Sequence, residues 1–117
     1  MNMLNQDSYE VISSLLRVLG HPVRIQILLE IGSGEACVCH LEEQLKIRQA
    51  YLSQHLMALR EEGILQTQRE GRFIYYRLTN QELLELIKTA GVINGVSIEK
   101  YDTVKKACSC PKCSETH

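Results

Sequence analysis

The sequence predicts a mainly α-helical domain with one small β-hairpin. Apolar residues recur at helical spacing in five segments between residues 7 and 90, and turn residues separate the segments. Between the fourth and fifth segments, residues 65–69 and 72–78 are predicted strands on either side of Glu70-Gly71. Two short helices followed by a hairpin, in this order, form a winged helix-turn-helix.

The first two helices are bounded by capping and breaking residues. The first is expected to begin at Asp7 or Ser8, whose side chains can cap a helix, and to end near Leu19. The Gly-His-Pro segment at 20–22 ends the first helix. Its proline suits the first turn of the next helix because the missing N–H is not needed there. The Gly-Ser-Gly segment at 32–34 ends that second helix.

The third and fourth helices are expected to form the helix-turn-helix. They are predicted from about residue 38 to 45 and from 48 to 62. Gly63 fits the position just after the fourth helix, where a left-handed backbone costs little only for glycine. The hairpin loop that follows is expected to exceed two residues, because Glu-Gly is a less favoured tight turn than Asn-Gly.

The last helix is expected to be capped by Asn80 and to run to about Thr89, with Gly91 and Gly95 marking its end. The first and last helices carry more apolar side chains than a small domain can bury, and we expect them to pair in a homodimer. Four such residues on the last helix are Leu83, Leu84, Leu86 and Ile87. The predicted DNA-binding and dimerisation domain therefore spans residues 1–96. Residues 97–117 form a Cys-rich tail that is expected to be flexible without a ligand.

Length and charge restrict the class of protein. A chain of 117 residues suits one compact domain. It has no apolar run near the roughly 18 residues of a membrane span and no signal-peptide pattern, so a cytoplasmic location is expected. The formal net charge is −1, but residues 46–77 hold six basic and three acidic side chains, which leaves +3 there and −4 elsewhere. A local positive patch suffices for phosphate contacts.

Four segments carry a resemblance to a known family. They read LGHPVRIQILLEI, EACVCHLEEQL, QAYLSQHLMALREEGIL and REGRFIYYRL, and they lie between about Val18 and Leu78. In sequence and separation they resemble the arsenic-repressor (ArsR/SmtB) type of metal sensor. The resemblance implies a homodimeric repressor that binds a palindromic operator in double-stranded DNA and releases it when a soft metal or metalloid binds.

The fourth predicted helix, which is the recognition helix of the helix-turn-helix, carries polar residues suited to reading DNA. In the family, the positions of Gln49, Ser53 and Gln54 face the major groove, and glutamine can pair with adenine while serine can contact bases or phosphate. Tyr51 is an expected flanking contact. His55 is either a DNA contact or an inert surface position. Solvent-facing helices are polar in any case, but the adjacent hairpin favours DNA binding for Ser53 and Gln54.

The hairpin carries arginines beside its turn. Such a turn can deliver an arginine to the minor groove or to its phosphates. A charged hairpin tip is more often only solvated. We expect Arg69 and Arg72 to contact DNA and leave Arg77 open.

Cys37 and Cys39 are the strongest chemical signal. Thiolates select soft ions, namely As(III), Sb(III), Cd(II), Pb(II), Zn(II) or Cu(I). Residues two apart point away from each other on a helix and on a strand, so only an irregular backbone lets both sulfurs hold one ion. We therefore expect ion binding to disturb the start of the third helix, where free N–H groups also favour the thiolate. Inert structural thiols are the weaker alternative.

The tail holds a second group of thiols, Cys108, Cys110 and Cys113. With His117 they can form a separate zinc site of three sulfurs and one nitrogen. Alternatively they complete the site of the first pair, because two thiolates alone rarely hold a metal well. We favour completion, without specifying which subunit donates.

Other histidine sites are less favoured. Many relatives carry a zinc site of Asp, His and Glu on the last helix, but the segment NQELLELIKTAG has no His and no Asp. For His21 and His40 we expect helix-breaking and capping roles rather than metal binding.

The leading hypothesis is thus a repressor with a thiophilic inducer, As(III) or Sb(III) before Cd(II), Pb(II) or Zn(II). The alternative is a thiol redox or persulfide sensor on the same scaffold. An enzyme such as a thiol reductase is disfavoured, because no Cys-x-x-Cys follows a strand in a βαβ unit.

Overall fold

The computed structural model describes residues 4–98. Five helices and three short strands follow one another along this part of the chain. They are α1 (Gln6–Leu19), α2 (Pro22–Ile31), β1 (Ala36–Cys37), α3 (Val38–Leu45), α4 (Gln49–Glu61), β2 (Leu65–Glu70), β3 (Phe73–Leu78) and α5 (Glu82–Ile93). The predicted mainly helical fold with a β-hairpin is confirmed.

Side-chain caps fix the starts of α1 and α2. Asn5, rather than the predicted Asp7 or Ser8, caps α1, and its Oδ1 accepts a hydrogen bond of 2.9 Å from the Ser8 N–H. His21 caps α2 through Nδ1, which accepts from the Val23 N–H at 3.2 Å, and Pro22 occupies the first turn as predicted. Within residues 4–98 no single helix is long and apolar enough to span a membrane. α1 and α2 meet the length and composition of a span only when they are taken together, and an 87° bend separates them.

The sheet contains a third strand that the sequence analysis missed. β3 lies in the centre, with β2 on one side and β1 on the other, and all pairs are antiparallel. β1 pairs Ala36 with Tyr76 and Cys37 with Tyr75. A strand of two residues is too short to show an alternating pattern, so only its partner could reveal it.

The hairpin between β2 and β3 is tighter than expected. Glu70 pairs with Phe73, so the loop holds only Gly71 and Arg72. Gly71 has a φ of +65°, which suits the first central position of a two-residue hairpin turn that places glycine there. The prediction of a longer loop placed Glu70 and Gly71 at the two central positions of the turn. In the structure these positions hold Gly71 and Arg72, so the prediction was wrong.

The core joins the helix-turn-helix to α2. Its fully buried side chains come from α2, α3 and α4, and burying a side chain of this size contributes about 1.5–3 kcal/mol each. They are Ile27, Leu28, Leu41, Leu52, Leu56 and Leu59. Aliphatic side chains provide most of this core. α4 is therefore fixed relative to α2 and α3 by packing on three leucines.

α5 is longer than predicted and ends after residue 93 rather than near Thr89. Gly91 lies inside the helix, where the chain returns and the Val96 N–H donates to the Gly91 carbonyl at 2.7 Å. A Cβ at Gly91 would lie 2.9 Å from the Val96 carbonyl oxygen, so glycine serves close approach there and not helix termination. Leu83 and Ile87 are buried in the core of the chain itself. Because these two side chains are buried within the chain, fewer apolar residues of α5 remain for a dimer interface than the sequence predicts.

Candidate functional site

Exposed polar side chains follow the outer face of α4. Gln49, Tyr51, Ser53 and Gln54 are all exposed. No side chain caps the start of the helix after Arg48, so its first N–H groups lack an intramolecular side-chain acceptor. A helix end of this kind attracts phosphate oxygens. The position and chemistry of these residues fit a surface that contacts DNA.

His55 is not on that surface. Its side chain is buried and only 6% exposed, and Arg24 Nε donates a hydrogen bond of 3.0 Å to His55 Nδ1. The surface position expected for His55 is therefore corrected. His55 lies three residues after Leu52 and four before Leu59, which puts all three on one face of the helix. Helical spacing predicts this burial, whereas the polarity of histidine favours a surface position.

A small polar cluster surrounds His55. Its ring lies 4.4 Å from the ring of His21 and 4.6 Å from that of Tyr51, measured between centroids. Arg24 also donates from a terminal nitrogen to the Val18 carbonyl at 3.0 Å. The cluster ties α4 to the junction of α1 and α2. Sequence reasoning did not single out Arg24.

The hairpin of β2 and β3, which is the wing of the fold, carries both predicted arginines on its surface. Arg69 is exposed on β2, and Arg72 is exposed in the turn, with its guanidinium 5.5 Å from the Phe73 ring centroid. Arg72 thus stacks on a neighbour within the hairpin, which limits its range of positions.

Cys37 and Cys39 lie at the junction between β1 and α3. Cys37 ends the strand with an extended backbone and caps the helix, its sulfur accepting from the His40 N–H at 3.3 Å. Cys39 is already helical, and the two sulfurs are joined as a disulfide across a Cα–Cα distance of 5.4 Å. The irregular backbone that the spacing required is this change from strand to helix. The disulfide coexists with an intact α3, and the expectation that binding of an ion disturbs the start of α3 stays a prediction.

A cavity of about 180 Å³ lies between the cysteines and two residues that were predicted to contact DNA. Besides the two cysteines, Gln49 and Arg72 line it. Gln49 is the first residue of α4 and Arg72 belongs to the turn of the wing. The structure thus brings four predicted site residues together, whereas Ser53, Gln54 and Arg69 lie outside the cavity.

This arrangement matches a family of bacterial regulators. Residues 21–67 match the model described as "Bacterial regulatory protein, arsR family". The chain is 42% identical over 76 residues to the biofilm growth-associated repressor of Xylella fastidiosa, covering 65% of this chain and 67% of the relative. It is 31% identical over 87 residues to the arsenical resistance operon repressor of Staphylococcus aureus, covering 74% and 84%. The chain belongs to the ArsR family.

A solved structure of the same kind supports the fold. Reduced HlyU from Vibrio cholerae aligns with a TM-score of 0.68 at 28% identity, covering 77% of this chain and 95% of HlyU. The winged helix-turn-helix assignment is confirmed, and this ArsR-family chain is a transcriptional repressor, not an enzyme, like its relatives.

A buried pair holds α3 of the repressor on α2. His40 Nε2 lies 2.9 Å from Glu30 Oε2, and both side chains are at most 5% exposed. The expected capping role for His40 was wrong, since Cys37 is the cap and the His40 ring reaches into the interior. Removing one partner of such a pair leaves the other buried without compensation, at a cost of about 3–5 kcal/mol. His40 therefore fixes the first turn of α3 in two ways, through its backbone N–H to the Cys37 sulfur and through its ring to Glu30.

The described part of the repressor supplies two thiols and no larger ligand set. Among residues 4–98 no three or more His, Cys, Asp or Glu side chains converge to hold a metal ion. Cys108, Cys110, Cys113 and His117 lie outside the described residues, as does most of the predicted tail.

His55 gives the stability of the repressor a pH dependence. Burial, followed by the positive charges of His21 and Arg24, lowers the pKa of His55 below its ordinary value of 6.5. Protonating Nδ1 would also remove the acceptor of the Arg24 hydrogen bond. The unfolded chain therefore binds this proton more readily, and the stabilisation present above pH 6.5 is lost as the pH falls toward the folded-state pKa.

We predict that the free energy of unfolding of the wild type decreases from pH 7 to pH 5.5 more steeply than that of His55→Gln. The amide of glutamine can accept from Arg24 but does not titrate. Urea unfolding at both pH values measures the difference. Parallel decreases in the two proteins would contradict the prediction.

Proposed function

We propose that this ArsR-family repressor binds a palindromic operator as a cytoplasmic homodimer and releases it when a thiophilic ion binds Cys37 and Cys39. The observation that carries the proposal is the shared cavity. The two sulfurs and two DNA-facing side chains, Gln49 and Arg72, line the same small volume. A ligand on the sulfurs therefore meets the start of the recognition helix and the turn of the wing directly.

In the proposed complex, α4 enters the major groove and the wing follows the adjacent backbone. Ser53 and Gln54 read base edges, and Gln49 and Tyr51 contact the rim of the groove. Arg69 and Arg72 contact phosphates or the minor groove. The exposure of these six side chains supports their roles.

As(III) or Sb(III) is the favoured inducer, with Cd(II), Pb(II) and Zn(II) as alternatives. Adjacent thiols are soft donors that suit all of these ions. The name of the Staphylococcus aureus relative, an arsenical resistance operon repressor, supports the metalloids. The thiols Cys108, Cys110 and Cys113 are proposed to supply the third donor that the described residues lack.

The proposed switch acts through the start of α3 and the cavity. An ion bound to both thiolates sets the distance between the two sulfurs and thereby constrains the backbone at the junction of β1 and α3. Ligation also competes for the Cys37 sulfur that accepts from His40. Because the Glu30–His40 pair holds the rest of the turn, displacement is directed toward Gln49 and Arg72. A change from 99:1 to 1:99 in the binding-competent state requires about 5.5 kcal/mol of differential affinity.

A redox or persulfide sensor is the second candidate. The observation that favours it is the disulfide between Cys37 and Cys39, which forms without disrupting α3. The similar solved structure of reduced HlyU gives further support, because that protein was studied in a defined redox state. Titration with metal under strictly reducing conditions separates the two candidates. Release of DNA there favours a metal sensor, whereas an oxidant-dependent repressor stays bound.

We predict that Cys37→Ser and Cys39→Ser each keep the DNA affinity of the ligand-free protein and abolish release by As(III). Serine is a good helix cap, so it can replace the Cys37 sulfur in that role while offering no soft donor. Fluorescence anisotropy of a labelled operator measures both properties.

Removing Cys108, Cys110 and Cys113 together should raise the As(III) concentration that is required for release of DNA by orders of magnitude. An unchanged concentration would indicate a separate tail site.

We predict that Gln54→Ala weakens binding to the operator by about 1–3 kcal/mol and leaves binding to random DNA nearly unchanged, because it removes a base contact. Arg72→Ala should weaken both and reduce the slope of log K against log salt by about 1. Gln26→Ala, exposed on α2, is the control and should change neither. An operator selected from random duplexes provides the probe. Unaltered binding in both test variants would contradict the DNA-binding assignment.

The homodimer is proposed from apolar residues on α1 and α5. Residues of both helices, among them Leu16 and Leu86, line a cavity of about 400 Å³, and large apolar side chains of the two helices are exposed. They include Val11, Ile12, Leu16, Val92 and Ile93, which are 51–77% exposed. Exposed apolar clusters of this kind mark interaction surfaces. A two-fold axis here would present two recognition helices to half-sites about 10 bp apart.

We predict that the protein sediments as a dimer at micromolar concentration and that Leu16→Glu with Ile93→Glu shifts it to the monomer. Both changes place charge on the proposed contact without altering the buried core. Met57→Glu, exposed on α4 instead, should remain dimeric. A wild type that sediments as a monomer would contradict the proposal.

A further inference from the structure

Two histidine rings meet between the recognition helix α4 and the junction of α1 and α2. The ring centroids of His21 and His55 lie 4.4 Å apart, and the ring of Tyr51 packs edge-on against His55. Nδ1 of His21 accepts a hydrogen bond from the Val23 N–H, and Nδ1 of His55 accepts one from Arg24 Nε. Because a backbone N–H and a guanidinium N–H can only donate, both Nδ1 atoms carry no proton.

These two hydrogen bonds determine the protonation state of both rings. A neutral imidazole with a bare Nδ1 carries its proton on Nε2, so neither ring offers an Nε2 lone pair to a metal ion. His55 Nε2 is buried and has no hydrogen-bond partner among the residues that the structure describes. A second proton can therefore be added to His21 or His55 only at Nδ1, where it replaces an existing hydrogen bond.

The charged groups that act on His55 oppose such a proton. Arg24 of α2 is positively charged and donates directly to the ring, and His21 adds a second positive charge when it is protonated. Burial, His21 and Arg24, in this order, lower the pKa of His55. The contact between α4 and the rest of the domain is thus built for a neutral pair of rings.

The other elements packed on α4 meet it away from the ring or through apolar side chains. On α1, the Ser14 hydroxyl donates to the Glu62 carboxylate at 3.0 Å, about two turns beyond His55. α3 and β2 contribute Leu41 and Leu65 to the core that they share with α4. The charges that act on the ring are those of the positive groups from α2 and from its junction with α1.

The pair of rings lies between the proposed dimer contact and the DNA surface. Arg24 also donates to the Val18 carbonyl at 3.0 Å, near the end of α1, which is a proposed dimer helix. On the other side, His55 directly follows Gln54 and contacts the ring of Tyr51, and both of these residues are proposed to contact DNA. The cluster therefore sets the orientation of the recognition helix relative to the two-fold axis of the proposed dimer.

We propose that His21 and His55 form a proton-sensitive contact and that their protonation weakens binding of the operator. The proposal rests on the proposed binding of DNA by α4, and it adds an input that does not use the thiols. A proton on either Nδ1 removes the bond that caps α2 or the bond that ties α4 to Arg24. It also places positive charges side by side, so the rings separate and α4 loses its fixed orientation.

The direction of the effect follows from proton linkage. The DNA-competent arrangement holds both rings neutral, whereas separated rings take up a proton at the ordinary histidine pKa of about 6.5. Operator affinity is therefore fully present above about pH 6.5 and is lost as the pH falls below it. Direct attraction between protonated histidines and phosphates has the opposite sign, because acid would then strengthen binding. The sign of the pH dependence separates the two effects.

The test uses the full-length protein with a reductant and a chelator, so that neither a disulfide nor a metal ion contributes. In the variant H21N/H55Q, asparagine can cap α2 and glutamine can accept from Arg24, but neither side chain titrates. The control is His117→Gln, which removes a histidine outside the described residues. Anisotropy measures operator affinity at pH 7.5 and 5.5, and each protein is compared with its own value at pH 7.5.

From pH 7.5 to 5.5 we expect the operator affinity of the wild type to fall about tenfold or more, and that of H21N/H55Q to fall about threefold at most. His117→Gln should keep the wild-type ratio. Unchanged or stronger wild-type binding at pH 5.5, or the full wild-type decrease in the double variant, would overturn the proposal while the proposed function stands. Absence of operator binding at both pH values would reject the proposed function itself.

Two measurements on the wild type do not depend on the folding of a variant. Calorimetry of operator binding at pH 6, in two buffers of different ionisation enthalpy, counts the protons exchanged. We expect a net release of protons because DNA selects the neutral rings, and net uptake or no exchange would overturn the proposal. Far-UV circular dichroism should show the same helix content at pH 7.5 and 5.5. Loss of helix in parallel with operator affinity would also overturn it, because acid unfolding would then explain the release.

Discussion

The antiparallel pairing of β1 with β3 is the contact on which the site depends. It consists of two residue pairs, Ala36 with Tyr76 and Cys37 with Tyr75, yet it fixes the strand that leads into α3 against the strand that leads out of the wing. The cysteines therefore lie beside the hairpin and not only beside the helix-turn-helix. Without this pairing, a ligand on the sulfurs would contact α3 alone, and the wing would be out of reach.

Buried polar groups determine how the helices are oriented on this frame. His40 with Glu30 joins α3 to α2, and Arg24 with His55 joins α4 to the junction of α1 and α2. Apolar packing tolerates small shifts between helices, but a buried hydrogen bond is satisfied only over a narrow range of positions. The two pairs thus restrict where α3 and α4 can move, α3 at its first turn and α4 near its middle.

The helices, the hairpin and the pair of thiols followed from the sequence because each has a local signal. Apolar periodicity predicted the helices, Pro22 and Gly63 marked two boundaries, and the Cys-Val-Cys spacing required an irregular backbone. What escaped prediction depends on distant partners. β1 exists only through its pairing with β3, and the buried ring of His55 receives a hydrogen bond at Nδ1 from Arg24, thirty-one residues away. The cavity likewise joins segments that are far apart in the sequence, so no local pattern could reveal it.

The separation between the two surfaces of α4 has a consequence for engineering. Ser53 and Gln54 face solvent and do not line the cavity, whereas Gln49 does. The residues proposed to read the DNA sequence and the residue proposed to respond to a ligand therefore occupy different turns of one helix. On the proposed roles, exchanging the side chains at 53 and 54 would redirect the protein to a new promoter while its response to a thiol ligand is retained, so the fold could serve as an interchangeable part in a genetic circuit.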